Sequence, residues 1–174
     1  MSVKIYFDLD GVCYNLYNIP NWEPSLRAEE SGVFSHEDAN FFTVEELNEA
    51  VAPLLELGVQ FGVISWLSMQ STPEYEEVCR AEKREWVKKN LPFVTEFNAI
   101  SYGIPKQNAI RKRAQKMYLI DDNLEICKEW STDKQRKAYC VDNECRYFDF
   151  NLIDALKQIY KELSAELKEE WEGQ

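Results

Sequence analysis

Histidine is almost missing from this chain, with one residue, His36, in 174. It stands in a polar stretch from Ser35 to Asn40, so no imidazole cluster can hold a metal, and a triad built on it lacks a partnered nucleophile. Cysteine does not fill the gap. The five cysteines (Cys13, Cys79, Cys127, Cys140 and Cys145) are an odd number, scattered and without a Cys-x-x-Cys pair. That argues against a disulfide framework and against structural zinc, and it fits reduced thiols in a cytoplasmic protein. Positive charge is also short: 20 Lys and Arg against 31 Asp and Glu give a formal net charge of −11. Such a surface disfavours sequence-independent binding to a nucleic-acid backbone, so a nucleic-acid partner is not expected. The run Lys106, Arg111, Lys112, Arg113 and Lys116 comes closest to a basic patch, and apart from Lys106 it reads as a solvated face. No apolar run approaches membrane-spanning length, and no basic leader with a cleavage site precedes the first strand pattern. A soluble, cytoplasmic protein without membrane contact is the expectation, and no obligate protein partner is evident. Internal repeats and low-complexity segments are absent as well.

What the chain does have is the composition of a packed globule, 45% apolar and 13% aromatic, at a length that one core can serve. A single domain over 1–174 is expected, with a core of about 1–13 and 43–174 and a flap or small cap of about 14–42. Val3 to Phe7 reads as a buried strand that stops at Asp8-Leu9-Asp10-Gly11. The stretch from Val12 to Phe42 lacks sustained periodicity and is too long for an idle connection, which suggests the flap, with short helical turns. Thr43-Val-Glu-Glu46 resembles a capping box, and Val44, Leu47, Val51, Leu54 and Leu55 recur at helical spacing before Gly58; Pro53 should kink or split that helix. Val59 to Ser65 is the second strand. Pro73, capped by Ser71 or Thr72, opens a helix to about Leu91. A short strand is expected at Asn98 to Tyr102, then a basic helix from about Gln107 to Gln115. Further strands follow at Met117 to Ile120 and Lys137 to Val141, and Leu152, Leu156, Ile159, Leu163 and Leu167 mark a terminal amphipathic helix.

Alternating strands and helices imply an α/β fold, a three-layer Rossmann-like parallel sheet with the flap inserted after the first strand. Ligands of such sheets sit beyond the carboxyl ends of the strands, and those ends carry Asp8 and Asp10, Ser65, and Asp121 and Asp122. Each segment has an ordinary reading: Asp and Gly punctuate turns, and Asp121-Asp122-Asn123 can cap a helix. Their joint order, with a serine-ended strand and Lys106 between them, points instead to a site. Carboxylates delivered to one crevice repel unless a cation binds or one takes up a proton. A hard divalent ion held by oxygens suits magnesium, which keeps waters and binds substrate phosphate. With phosphate present, one carboxylate can attack phosphorus, and a second, two residues on, can protonate the leaving group and later activate water.

The chain resembles the haloacid-dehalogenase-like hydrolase superfamily, with four signatures in order: Phe7-Asp8-Leu9-Asp10-Gly11-Val12, the strand Phe61 to Ser65, Lys106 after a short strand, and Leu119-Ile-Asp121-Asp122. The resemblance spans about Val3 to Val141. It implies a phosphohydrolase in which Asp8 is the nucleophile and the Asp10 carboxylate the general acid and base. It also implies that the Asp8 carboxylate, the Asp10 carbonyl and Asp121 hold Mg2+ with Asp122 beside them, that Ser65 hydrogen-bonds the phosphate, and that Lys106 balances its charge. An Asp at position 10 favours phosphate-ester hydrolysis, since dehalogenating members lack that acid. The order of Lys83 to Pro92, a strand, Lys106 and Ile120 to Asn123 is similar to small nucleotidase-like and phage-type members. The expected partner is a small phosphorylated substrate, with a nucleotide as one candidate. Tyr14, Tyr17 and Trp66 are candidates to stack on it, whereas Trp22 is expected to pack the flap onto the core. The alternatives are a phosphate-sensing or phosphoprotein-binding module without turnover, and a phosphotransferase acting on a nucleic-acid end or a sugar phosphate.

Overall fold

The computed structural model describes residues 1–37 and 39–172; Asp38 in the expected flap and the last two residues of the expected domain lie outside the described residues. Five strands, β1 (Val3–Phe7), β2 (Gln60–Trp66), β3 (Val94–Ile100), β4 (Lys116–Asp121) and β5 (Arg136–Cys140), form one sheet in the order β3-β2-β1-β4-β5. Every pairing is parallel. The fold class is therefore the Rossmann-like α/β sheet expected from the alternating pattern. From β1 the chain builds outward to β2 and β3, then crosses to β4 and β5 on the other side. The reversal leaves a crevice between the ends of β1 and β4.

Side-chain alternation divides the core between the two faces of the sheet. Ile5, Phe7, Phe61, Val63, Tyr118 and Ile120 pack with α2 (Val44–Glu56), α3 (Pro73–Asn90) and α5 (Leu152–Glu172). On the opposite face Tyr6, Ile64, Met117 and Leu119 meet Ala114 and α4 (Leu124–Trp130), whose Trp130 is fully buried. Helix α2 starts as expected, with the Thr43 and Glu46 side chains exchanging backbone bonds in a capping box. It is not split at Pro53, which falls within its last turn. Thr72 caps α3, and Pro73 occupies its first turn, where a missing N–H costs nothing.

Three elements differ from the sequence reading. Strand β3 begins at Val94 rather than Asn98: a bulge beside Phe61 and Gly62 puts Val94 and Phe97 on the same face and so breaks the alternation, and the strand ends at Ile100, whose carbonyl takes the Leu67 amide. The expected basic helix over Gln107 to Gln115 is a single 3-10 turn, Lys106–Ala109. Arg111, Lys112 and Arg113 stay solvated without carboxylates at helical spacing, and only Ala114 turns inward. Helix α4 was foreshadowed only by the capping reading of Asp121-Asp122-Asn123, without bounds of its own. The flap carries a 3-10 turn at Leu16–Asn18 and a short helix, α1 (Trp22–Arg27), and its Tyr14, Leu16, Val33, Phe34 and Phe42 belong to the same apolar cluster as the sheet. No helix among the described residues is long and apolar enough to cross a membrane.

Candidate active site at the ends of β1 and β4

Strands β1 and β4 are held in step past their ends by the Asp8 amide, which donates to the Ile120 carbonyl at 2.9 Å. Asp8 and Asp121 therefore leave adjacent strands side by side. The chain then tightens, with the amides of Val12, Cys13 and Tyr14 all directed at the Leu9 carbonyl. Gly11, at φ +79°, makes the turn, and Asn143 braces it through bonds to the carbonyls of Gly11 and Val12. A side chain at position 11 would collide with Asp122, whose Oδ2 lies 2.1 Å from where a Cβ would stand. The glycine is what lets the fourth carboxylate approach. On the β4 side, Asn123 caps α4 by accepting from the amides of Glu125 and Ile126, while Asp121 and Asp122 just before it serve the crevice. The same short segment thus caps a helix and lines the cavity.

One carboxylate oxygen each from Asp8, Asp121 and Asp122 lies within 4.8 Å of the others, the spacing of ligands around one ion. Asp10 stands outside this trio: one oxygen of its carboxylate, Oδ2, lies 2.5 Å from Lys83. Lys106 is sealed beneath, 2.6 Å from Asp121 and 3.0 Å from Asp8. Burial pulls its ammonium down, but the two carboxylates outweigh burial and hold its pKa above the ordinary lysine value. Asp122 is pushed up to about 8, by burial first and then by Asp8 and Asp121. Burial also raises Asp10 and Asp121, against the pull of Lys83 and Lys106 respectively. Asp10 Oδ1 is buried without a hydrogen-bond partner, and Asp8 Oδ1 is buried with only its ion pair to Lys106 at 3.0 Å. Three converging hard oxygen donors, with Lys106 as the one cation beside them among the described residues, fit a small divalent cation such as Mg2+.

Above the carboxylates lies a cavity of about 300 Å³. Asp8, Asp10, Asp121 and Asp122 form its floor, and aromatic side chains form two of its walls. Tyr17 meets Trp22 edge-on at 5.3 Å, and opposite them Trp66 leans on Tyr102 at 4.8 Å, with its indole N–H donated to the Ile104 carbonyl. Tyr17 and Trp66 thus both line the cavity. Trp22 packs on the core, as expected, and lines the cavity as well. Tyr14 does not: it is 2% exposed, its hydroxyl is bound by Val33 and His36, and Trp86 packs edge-on against its ring, so it holds the flap together. Ser65 lies within the wall rather than on it, fully buried, its Oγ accepting from Lys83; the hydroxyl on the cavity surface at this strand end is Ser68. Lys83 is the polar residue that sequence reasoning passed over. Its signal was position, on the buried stripe Tyr75, Cys79, Trp86 and Val87 of α3, where a lysine needs a partner.

Fold and site together define a class: a Rossmann-type α/β protein with a cluster of carboxylates at its topological switch point. No family model matches the chain, and no curated protein does. Among solved structures it is similar to the crystal structure of D,D-heptose 1,7-bisphosphate phosphatase from Burkholderia thailandensis, at 12% identity and a TM-score of 0.46. The match covers 91% of this chain and 98% of that one, and the similarity is one of fold.

Proposed function

We propose that the protein is a Mg2+-dependent phosphatase that hydrolyses a phosphomonoester through an aspartyl-phosphate on Asp8. The observation that carries this reading is the Asp8, Asp121 and Asp122 trio beside the buried Lys106. Mg2+ held there would supply positive charge to the substrate phosphate and to the charge that develops during transfer. Asp8 attacks phosphorus as the ester P–O bond breaks, and the departing oxygen takes the proton of Asp10. In the second half-reaction Asp10 takes a proton from water, the water oxygen bonds to phosphorus, and the bond to Asp8 breaks to release phosphate. Lys106 keeps Asp8 and Asp121 together while charge moves, and it stays protonated throughout.

The cavity supports a substrate class. Among the described residues that line it there is no lysine or arginine, so nothing there matches a second phosphate. Its walls of Tyr17, Trp22, Trp66 and Tyr102 suit a flat, weakly polar body, such as the base of a nucleoside monophosphate. The test is phosphate release from nucleoside monophosphates, sugar phosphates and an aryl phosphate, with and without Mg2+. Release should require the metal and vanish in Asp8→Asn; undiminished release by that variant refutes the mechanism. Trp66→Ala should raise KM for nucleotides more than for a simple alkyl phosphate, and equal effects would remove the stacking role.

A further inference from the structure

Lys83 is 1% exposed and reaches from the middle of α3 into the ends of β1 and β2. An ammonium has three N–H donors, and here three acceptors meet it: Asp10 Oδ2 at 2.5 Å, the Trp66 carbonyl at 2.6 Å and Ser65 Oγ at 3.0 Å. No donor is left for a substrate. The role such a group can play is to fix the atoms it holds. It grips one oxygen of Asp10 and leaves the other, Oδ1, without a partner and available for proton transfer. It also occupies a lone pair of Ser65, whose hydroxyl in turn donates to the Trp66 carbonyl at 3.4 Å. We propose that Lys83 is the positioning residue of the general acid and base, locking the Asp10 carboxylate and the Ser65 hydroxyl into one frame. This rests on the phosphatase reading above.

Packing alone gives no reason for a lysine here. The neighbouring positions of the stripe, Tyr75, Cys79, Trp86 and Val87, are apolar, and a methionine would fill the same space without desolvating a charge. The Phe34 ring, 4.4 Å from the ammonium, closes the remaining side and also lines the cavity. The bonds to Asp10, Ser65 and Trp66 tie the end of β2 to the turn after β1, two segments that β-pairing leaves unconnected beyond Phe7 and Val63.

The experiment compares kcat/KM of wild-type protein and Lys83→Met on two esters, with Mg2+ present: an alkyl phosphate, whose leaving oxygen needs a proton, and 4-nitrophenyl phosphate, whose leaving group departs without one. A misplaced acid should cost about 100-fold on the alkyl ester and little on the aryl ester. In an Asp10→Asn background the same substitution should add nothing to the difference between esters. An equal fall on both esters overturns the proposal. A crystal structure of Lys83→Met supplies a readout independent of turnover, and Asp10 and Ser65 found in their wild-type places overturn it too. If the wild-type protein releases phosphate from neither ester, the phosphatase reading fails separately, and the crystal structure alone decides whether Lys83 positions Asp10. Lys83→Gln, neutral but still a donor, replaces the methionine variant should that one not fold.

Discussion

Single atoms decide how close the acids can come, and Gly11 is where that is most exposed to test. Its φ of +79° and the 2.1 Å gap between a Cβ there and Asp122 Oδ2 mean that alanine strains the turn and displaces the carboxylate. The backbone strain is roughly 1 kcal/mol, small beside the effect on the ion. Gly11→Ala should therefore stay folded yet bind Mg2+ at least roughly tenfold more weakly by calorimetric titration, as for other supports of metal ligands. Wild-type affinity in that variant would mean that Asp122 takes no part. Lys106 carries the opposite lesson. Removing it as Lys106→Met leaves Asp8 and Asp121 facing each other without their cation, a loss of about 3–5 kcal/mol for a broken buried pair. Urea unfolding in EDTA should read that loss, and saturating Mg2+ should restore much of it; a change below about 1 kcal/mol would show the pairs to be inert. The four site acids were legible in the sequence because each follows a strand pattern at its carboxyl end. Lys83 was legible only as a lysine on the buried stripe of α3, because spacing cannot report which partners that stripe meets. For the same reason spacing did not show that Tyr14 turns inward, or that Trp22 lines the cavity besides packing on the core.

Elements were legible where their ends carry chemistry. The capping box at Thr43 and the Thr72-Pro73 start fixed two helices by local hydrogen bonding alone. Helix α4, only Leu124–Trp130, is too short for periodicity to register, and its capping residue Asn123 adjoins two acids that a site explains equally well. The basic stretch after Lys106 failed as a helix because the packing that a helix needs is absent there, while the pairing of Lys106 with Asp8 and Asp121 requires only one turn. The flap shows how elements share work. Glu82 of α3 accepts the amides of Gly32 at 2.6 Å and Phe34 at 3.1 Å, and Tyr75 donates its hydroxyl to the Glu30 carbonyl. This segment carries Phe34 into the cavity wall, so α3 sets the wall's position. Glu82→Ala leaves two amides without their acceptor, at a cost of about 1–3 kcal/mol to local order. The expected result is faster proteolysis around 29–36 and a KM that rises more than kcat falls. A variant with an unchanged KM and an unchanged cleavage pattern would show that the tether does not shape the cavity.

At the scale of the whole molecule, alternation of strands and helices foretold a parallel sheet but not its order, since periodicity says which residues face inward and not which strands are neighbours. The order β3-β2-β1-β4-β5 is what concentrates charge, by bringing two acidic strand ends together at one reversal. That concentration couples folding to pH. Asp122 is pushed up to about 8, by burial first and then by Asp8 and Asp121, and Asp10 and Asp121 are raised as well. Between the ordinary carboxylate range and about pH 8, the folded metal-free protein holds protons that the unfolded chain has already released. Its stability is then fully present at the acid end of that window and is lost as pH rises through it. A divalent cation takes the protons' place, so its stabilising effect must grow in the same direction. At a hundredfold excess over its dissociation constant a ligand of the folded state adds about 2.7 kcal/mol. For a chain of this length that corresponds to roughly 5–10 °C in Tm. Thermal melts in EDTA should fall between about pH 6 and pH 8, melts in excess Mg2+ should fall less, and the gap between them should widen with pH. Metal-free melts that stay level or rise across that window would mean that the acids are not crowded as the fold places them.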